Sequence, residues 1–209
     1  MKYKILADSK SLYEFADQKT SQAVMDALII NGKETTYNFN KILYIQNQKN
    51  IEGNIISTIE TPVLTVGGKL FISQSLKNIF EKYDVIGEYF EAQVKANGTA
   101  FNEDYFLFNP LTGSNCLDYK NSTYNKIYDD WSKIFNISKI THLKIEEHKT
   151  PNNAPLFFLG QFPYKENDNR ILEKIIFIRE DLAKEIKDAK ILGVNIFEIE
   201  NYSYNWKWL

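Results

Sequence analysis

The sequence predicts an α+β fold with a mostly antiparallel, strand-rich core and a few short helices. Two observations lead there: an internal repeat of a strand-helix-strand unit, and a series of short apolar runs bounded by turn residues. Phe71-Ile72-Ser73-Gln74-Ser75-Leu76 recurs in pattern as Phe177-Ile178-Arg179-Glu180-Asp181-Leu182, an offset of 106 residues from position 71 to position 177. The same offset carries Ile86-Gly87 onto Leu192-Gly193 and Phe90 onto Ile196, so the copies align without insertion.

In the first copy Lys69 to Ile72 reads as a strand and Ser73 as an N-cap. Leu76, Ile79, Phe80 and Tyr83 follow at helical spacing. In the second, Lys174 to Ile178 is the strand. Glu180 and Asp181 occupy the first helical turn, where the helix dipole favours negative charge, and Leu182, Ile186 and Ala189 form the buried stripe. Gly87 and Gly193 fall where a chain leaving a helix needs a left-handed residue, each before a strand, Glu88 to Val94 and Val194 to Glu200.

Ahead of the repeat, Tyr3 to Leu6 reads as a strand, Ser9 to Asp17 as a short helix and Ile42 to Ile45 as a strand. Gln46 to Asn54 is polar and turn-rich, an exposed loop or subdomain boundary. Residues 1–60 are therefore expected to form an irregular N-terminal region or small subdomain, and residues 61–209 the main domain. Strands are expected at Ile55 to Ile59 and Pro62 to Val66. Gly67-Gly68 joins the latter to Lys69 as a hairpin rather than a phosphate cradle, since no Lys-Ser/Thr follows. Between the copies, Tyr105 to Asn109, Trp131 to Ile137, Ile140 to Ile145 and Leu156 to Leu159 read as strands. Leu111 to Asn115 reads as a turn, and Lys149 to Pro155 and Tyr164 to Arg170 as surface loops.

A chain of 209 residues buries roughly 70% of its unfolded surface and needs no metal or disulfide for stability. Hydrophobic residues make up 44% and charged residues 25%, ordinary values for a globular domain. The formal net charge of −2, with Lys and Arg scattered, argues against a nucleic-acid footprint. Cys116 is the single cysteine, so no intrachain disulfide forms and a reducing compartment fits. The start of the chain lacks the apolar stretch of a signal peptide, and no run approaches the ~20 residues of a membrane span. A cytoplasmic protein with no membrane association is expected.

The search for chemistry finds little. His142 and His148 stand in no metal-ligand spacing, and His142 reads as a polar-face residue opposite Leu143 and Ile145. Cys116 reads as buried. A hydrolase or transferase would instead require His148 and a carboxylate beside it in a pocket. The acidic pairs Asp129-Asp130 and Glu146-Glu147 read as solvated faces before they read as ion or acid-base sites. No catalytic, metal or cofactor site is assigned. In the tail, Tyr202, Tyr204, Trp206 and Trp208 alternate with polar residues and share one face of a strand. That face packs on the core or, in a scaffold or carbohydrate-binding module, forms a binding stripe.

The central stretch is the most distinctive. Tyr105-Phe106-Leu107-Phe108-Asn109-Pro110 is a strand stopped by proline, followed by Cys116-Leu117-Asp118 and then Ser122-Thr123-Tyr124. With the repeat strand at Phe177 and the exit Leu192-Gly193-Val194-Asn195-Ile196-Phe197, this order resembles immunity protein family eleven of bacteria, formerly a domain of unknown function. The resemblance covers roughly Pro62 to Glu200, with Lys2-Tyr3-Lys4-Ile5-Leu6 similar to the family's opening strand. It implies a non-enzymatic protein, encoded beside a polymorphic toxin, that binds and neutralises that toxin in the producing cell or its sisters. For a nuclease toxin with a basic active site, Asp129, Asp130, Glu146 and Glu147 are the natural counter-charges, and Trp206 and Trp208 are candidate aromatic anchors.

Overall fold

The computed structural model describes residues 2–8, 11–15, 33–35, 44–50, 63–66, 69–96, 99–100, 104–129, 134–160, 175–191 and 194–205. The chain opens with β1 (Tyr3–Asp8), β2 (Ser11–Phe15), β3 (Tyr44–Asn50) and β4 (Val63–Val66). The first copy of the repeat is β5 (Lys69–Ser73), helix α1 (Gln74–Lys82) and β6 (Gly87–Ala96), followed by β7 (Thr99–Ala100) and β8 (Tyr105–Pro110). Then come β9 (Gly113–Ser114), β10 (Thr123–Asp129), β11 (Ile134–His142) and β12 (Leu156–Leu159). The second copy is β13 (Ile176–Arg179), helix α2 (Glu180–Asp188) and β14 (Val194–Glu198), and β15 (Tyr204–Asn205) follows it.

Among the described residues these strands form three sheets: β14-β1-β13-β12-β9, β10-β11-β15, and β2-β3-β6-β8-β5-β4 with β7 beside β6. Every pairing is antiparallel except β3 with β6 and β9 with β12, as an antiparallel-dominated α+β fold requires.

Each copy of the repeat is a split unit whose two strands run parallel with a third, antiparallel strand between them. In the first that strand is β8, which pairs with β5 and with β6. In the second it is β1, which pairs with β13 and with β14. The helices match residue for residue at the 106-residue offset, nine residues each. Both end on a left-handed residue, Asp84 at φ 54° and Lys190 at φ 53°. These residues turn the chain out of the helix, whereas the expected Gly87 does not and Gly193 lies outside the described residues. Gly87 is instead the first residue of β6, where a Cβ would lie 2.2 Å from Phe108 Cε2 and 2.8 Å from the Asn109 carbonyl oxygen. The expectation of a repeat without insertion also needs correcting. Tyr89 pairs with Phe108, whereas Ile196 pairs with Leu6, so the second copy carries one extra residue between helix and strand.

The two copies share a core. Ile72, Leu76, Phe80 and Phe108 of the first pack in one cluster with their counterparts Ile178, Leu182, Ile186 and Leu6 of the second, joined by Ile79, Val85, Leu156, Phe158, Ile176 and Ala183. A buried aliphatic or aromatic side chain contributes about 1.5–3 kcal/mol, so this cluster is the main source of cohesion between the halves. On the other face of the second copy's sheet, Tyr3, Ile5, Phe157 and Phe177 pack with Cys116, Leu117, Ile137, Ile140 and Leu143. The Phe157 and Phe177 rings stack there at 4.8 Å, with Tyr3 edge-on to Phe157 at 5.0 Å.

Several local expectations change. Ser11–Phe15 is a strand rather than part of a helix, because pairing with β3 outweighs the local helical spacing. β3 continues through Asn50, so the first half of the polar segment expected as a loop is paired strand. Gly113–Ser114 pairs with β12 instead of lying in a turn. The two strands expected around residues 131–145 are one, Ile134–His142, with Leu143 to Ile145 beyond it. Ala189 is exposed, and Ala183 takes its place in the buried stripe of α2. The Val66 to Lys69 pairing makes β4 and β5 the expected hairpin, and Ser73 caps α1 by accepting from the Leu76 amide. Ile55 to Ile59 and Tyr164 to Arg170 lie outside the described residues.

Gly87→Ala is expected to lower stability by about 1–3 kcal/mol through overpacking against Phe108. The midpoint of urea unfolding checks this, and an unchanged midpoint would mean that β6 and β8 separate more readily than their packing implies.

Candidate interaction surface

The stretch from Cys116 to Ser122 is built as a pinned turn. Asp118 accepts hydrogen bonds on its carboxylate from the Lys120 amide at 3.1 Å, the Asn121 amide at 3.0 Å and the Asn121 side-chain nitrogen at 2.6 Å. These bonds, the one from the Asn121 side chain foremost, hold the Asp118 carboxyl below its ordinary value of 3.8. The Ser122 amide donates to the Asp118 carbonyl, and the Ser122 hydroxyl accepts from the Lys144 amide at 3.0 Å. The Asp118 amide donates to the Lys144 carbonyl and the Glu146 amide to the Cys116 carbonyl. Asp118 and Ser122 are thus turn-forming residues that lock residues 116–122 to 144–146. Tyr119, 41% exposed, stands on this rigid turn edge-on to Tyr124.

The loop from Glu146 to Pro155 is fixed just as firmly. A 3-10 turn covers Glu147–Lys149, and the Ser114 hydroxyl donates to the Lys149 carbonyl. The Tyr3 hydroxyl donates to the carbonyls of Pro151 at 3.2 Å and Ala154 at 3.3 Å. Arg179 donates to the Asn153 carbonyl at 2.6 Å and grips the Asp181 carboxylate with two further nitrogens, at 2.6 and 2.8 Å. That grip holds the Asp181 carboxyl below its ordinary range. On the first copy, buried Asn109 donates to the Lys33 carbonyl at 3.0 Å and to Glu88 at 2.8 Å, while Glu88 accepts from the Thr35 amide. Nothing in the sequence pattern marked this polar cluster.

Glu146 is half-buried and bound to Lys149 at 2.6 Å, with His148 Nε2 3.6 Å from its other oxygen; Glu147 is exposed. Asp129 ends β10 opposite Ile134. Asp130, Trp206 and Trp208 lie outside the described residues. Tyr202 is half-buried against Phe197, and Tyr204 pairs with Ile140, so the described part of the tail belongs to the body of the protein. Cys116 is fully buried, and burial raises its thiol to about 11, which leaves it protonated at neutral pH. His148 faces solvent beside Glu146, so the thiol is not activated as a nucleophile would need. Among the described residues no His/Cys/Asp/Glu group is arranged to hold a metal ion, and no helix is long and apolar enough to cross a membrane.

One comparison decides the class. Residues 14–200 match the model of the Immunity protein family (Imm11). The chain belongs to this family. No curated protein matches it. The Imm11 match begins within β2 and runs through both copies of the repeat to the 3-10 turn after β14, so it takes in the pinned turns at 118–122 and 146–155. The order of short motifs that resembled an immunity protein in the sequence therefore reflects the family. In this Imm11 protein the residues that carried the resemblance, Asp118 and Ser122, serve the turn itself.

Cys116 is expected to react with a thiol reagent at least a hundredfold more slowly in the native protein than in urea at pH 8. A Cys116 that reacts at the unfolded rate would mean that the second core opens freely. Asp118 and Asp181 have depressed folded-state values, so the stability they contribute is full above the unfolded value of 3.8 and is lost as pH falls through their folded values. Arg179→Met is expected to raise the titration midpoint of Asp181, read by carboxyl NMR shifts, and leave that of Asp118 in place.

Proposed function

We propose that this protein binds a cognate bacterial toxin and neutralises it by forming a tight complex, without chemistry of its own. The observation that carries this reading is the Imm11 match over residues 14–200. The rigid turns support it, because groups already fixed by hydrogen bonds lose little entropy on docking. A standard interface of about 1,600 Å² would suffice for the affinity that keeps free toxin negligible. Complementary charge would speed the encounter.

The acidic residues Asp129, Asp130, Glu146 and Glu147 are the proposed counter-charges for a basic toxin surface, with Trp206 and Trp208 as aromatic anchors. Glu147, exposed on its 3-10 turn, is more available than Glu146, which already shares Lys149. The partner is the toxin domain encoded by the adjacent gene, and the complex forms in the cytoplasm of the producing cell.

Co-expression of the tagged protein with that toxin domain is expected to give a co-purifying complex and to rescue growth. Asp129→Lys, Asp130→Lys and Glu147→Lys together are expected to slow association at least tenfold at low salt while leaving the fold intact. Absence of both a complex and rescue would remove this reading.

A further inference from the structure

The position of β1 has a counterpart that the sequence repeat did not show. Within the first copy the middle strand, β8, follows β6 along the chain. Within the second the middle strand is β1, at the far end of the chain from its neighbours. The two strands occupy the same place by the register of their ladders with β5 and β13 and by the bond that opens each helix. Leu70 pairs with Phe108 and its counterpart Ile176 with Leu6, while Ser73 pairs with Tyr105 and its counterpart Arg179 with Tyr3. On the outer side the copies align only after a shift of one residue, Tyr89 opposite Phe108 and Ile196 opposite Leu6. Each helix begins with the same bond, from the Gln74 amide to the carbonyl of Asp104 just before β8, and from the Glu180 amide to the carbonyl of Lys2 just before β1. Phe108 and Leu6 then enter the shared core from equivalent sites.

We propose that the second unit is a circularly permuted copy of the first, with β1 in the role of β8, so that β1 is a strap which closes the second half of the fold. What the fold requires is the segment Tyr3 to Asp8 seated between β13 and β14, and not its attachment to residue 9. Lys4 lies directly opposite Glu198, which makes the end of β14 the natural place from which to lead into β1, as β6 leads into β8 in the first copy. The second half also closes only when both ends of the chain are present, because β1 comes first in the sequence and its two neighbours come near the end.

The test is a full-length permutant that begins at residue 9 and carries residues 2–8 after Leu209 through a flexible linker of about ten residues, which spans roughly 17 Å. Hydrogen exchange of the α2 amides reports whether β1 is seated. The proposal expects the permutant to protect α2 to within tenfold of the wild-type protein. A companion permutant with Ile5→Asp and Leu6→Asp in the relocated segment is expected to lose that protection by at least a hundredfold. An unprotected α2 in the first permutant would overturn the proposal, and so would a protected α2 in the second. Neither readout involves a toxin, so the outcome is independent of the proposed immunity function.

Discussion

The structure depends on a single apolar cluster to which both copies of the repeat contribute. Leu76, Ile79 and Phe80 on α1 and Leu182, Ala183 and Ile186 on α2 enter the same cluster as the inner faces of two sheets. The pairs are equivalent but not identical. Phe80 stands where the second copy has Ile186, and Phe108 where it has Leu6, and the two rings pack edge-on at 5.4 Å within the cluster. Lys82 of α1 reaches Glu185 of α2 at 2.6 Å, but this pair is exposed and adds little next to the burial beneath it. Cohesion of the halves is therefore a matter of packing, with charge trimming the edge.

On this base the protein builds fixed turns from local polar chemistry. Tyr3 and Arg179, at one end of the β1–β13 pair, hold the loop 151–154 by its carbonyls, and the side chains of Asp118 and Ser122 accept from backbone amides to hold the turn at 118–122. In each case a side-chain polar group satisfies backbone atoms of a loop. A loop held in this way is a surface of defined shape, which is what tight recognition of another protein needs. Cys116 is buried in the second core.

Much of the fold was legible because the repeat places a short apolar run, β5 or β13, directly before a helical stripe, α1 or α2. Ser73 and the first-turn acids Glu180 and Asp181 marked both helix starts. The helix exits were misread, since glycine is the usual left-handed residue and here Asp84 and Lys190 adopt that geometry. Gly87 was noticed for the wrong reason: the ring of Phe108 leaves no room for a Cβ. The place of β1 beside β13 and β14 was out of reach, because a pairing between chain ends leaves no local pattern. The same limit hid the Asn109 and Glu88 cluster, whose partners are distant in sequence. At the candidate surface, the order of Asp118 and Ser122 was legible as a family resemblance, but their work as turn formers required the geometry of Lys144 and Asn121.

The two copies share one core and are expected to stand or fall together. Native-state hydrogen exchange on the wild-type protein and on Leu182→Ala tests it most directly. Amides of α1 and α2 are expected to exchange through the same global opening, and truncating Leu182 in α2 to lower protection in α1 by the same factor. If α1 keeps its full protection while α2 loses its own, the halves are separately stable and the shared core is not what holds the protein together.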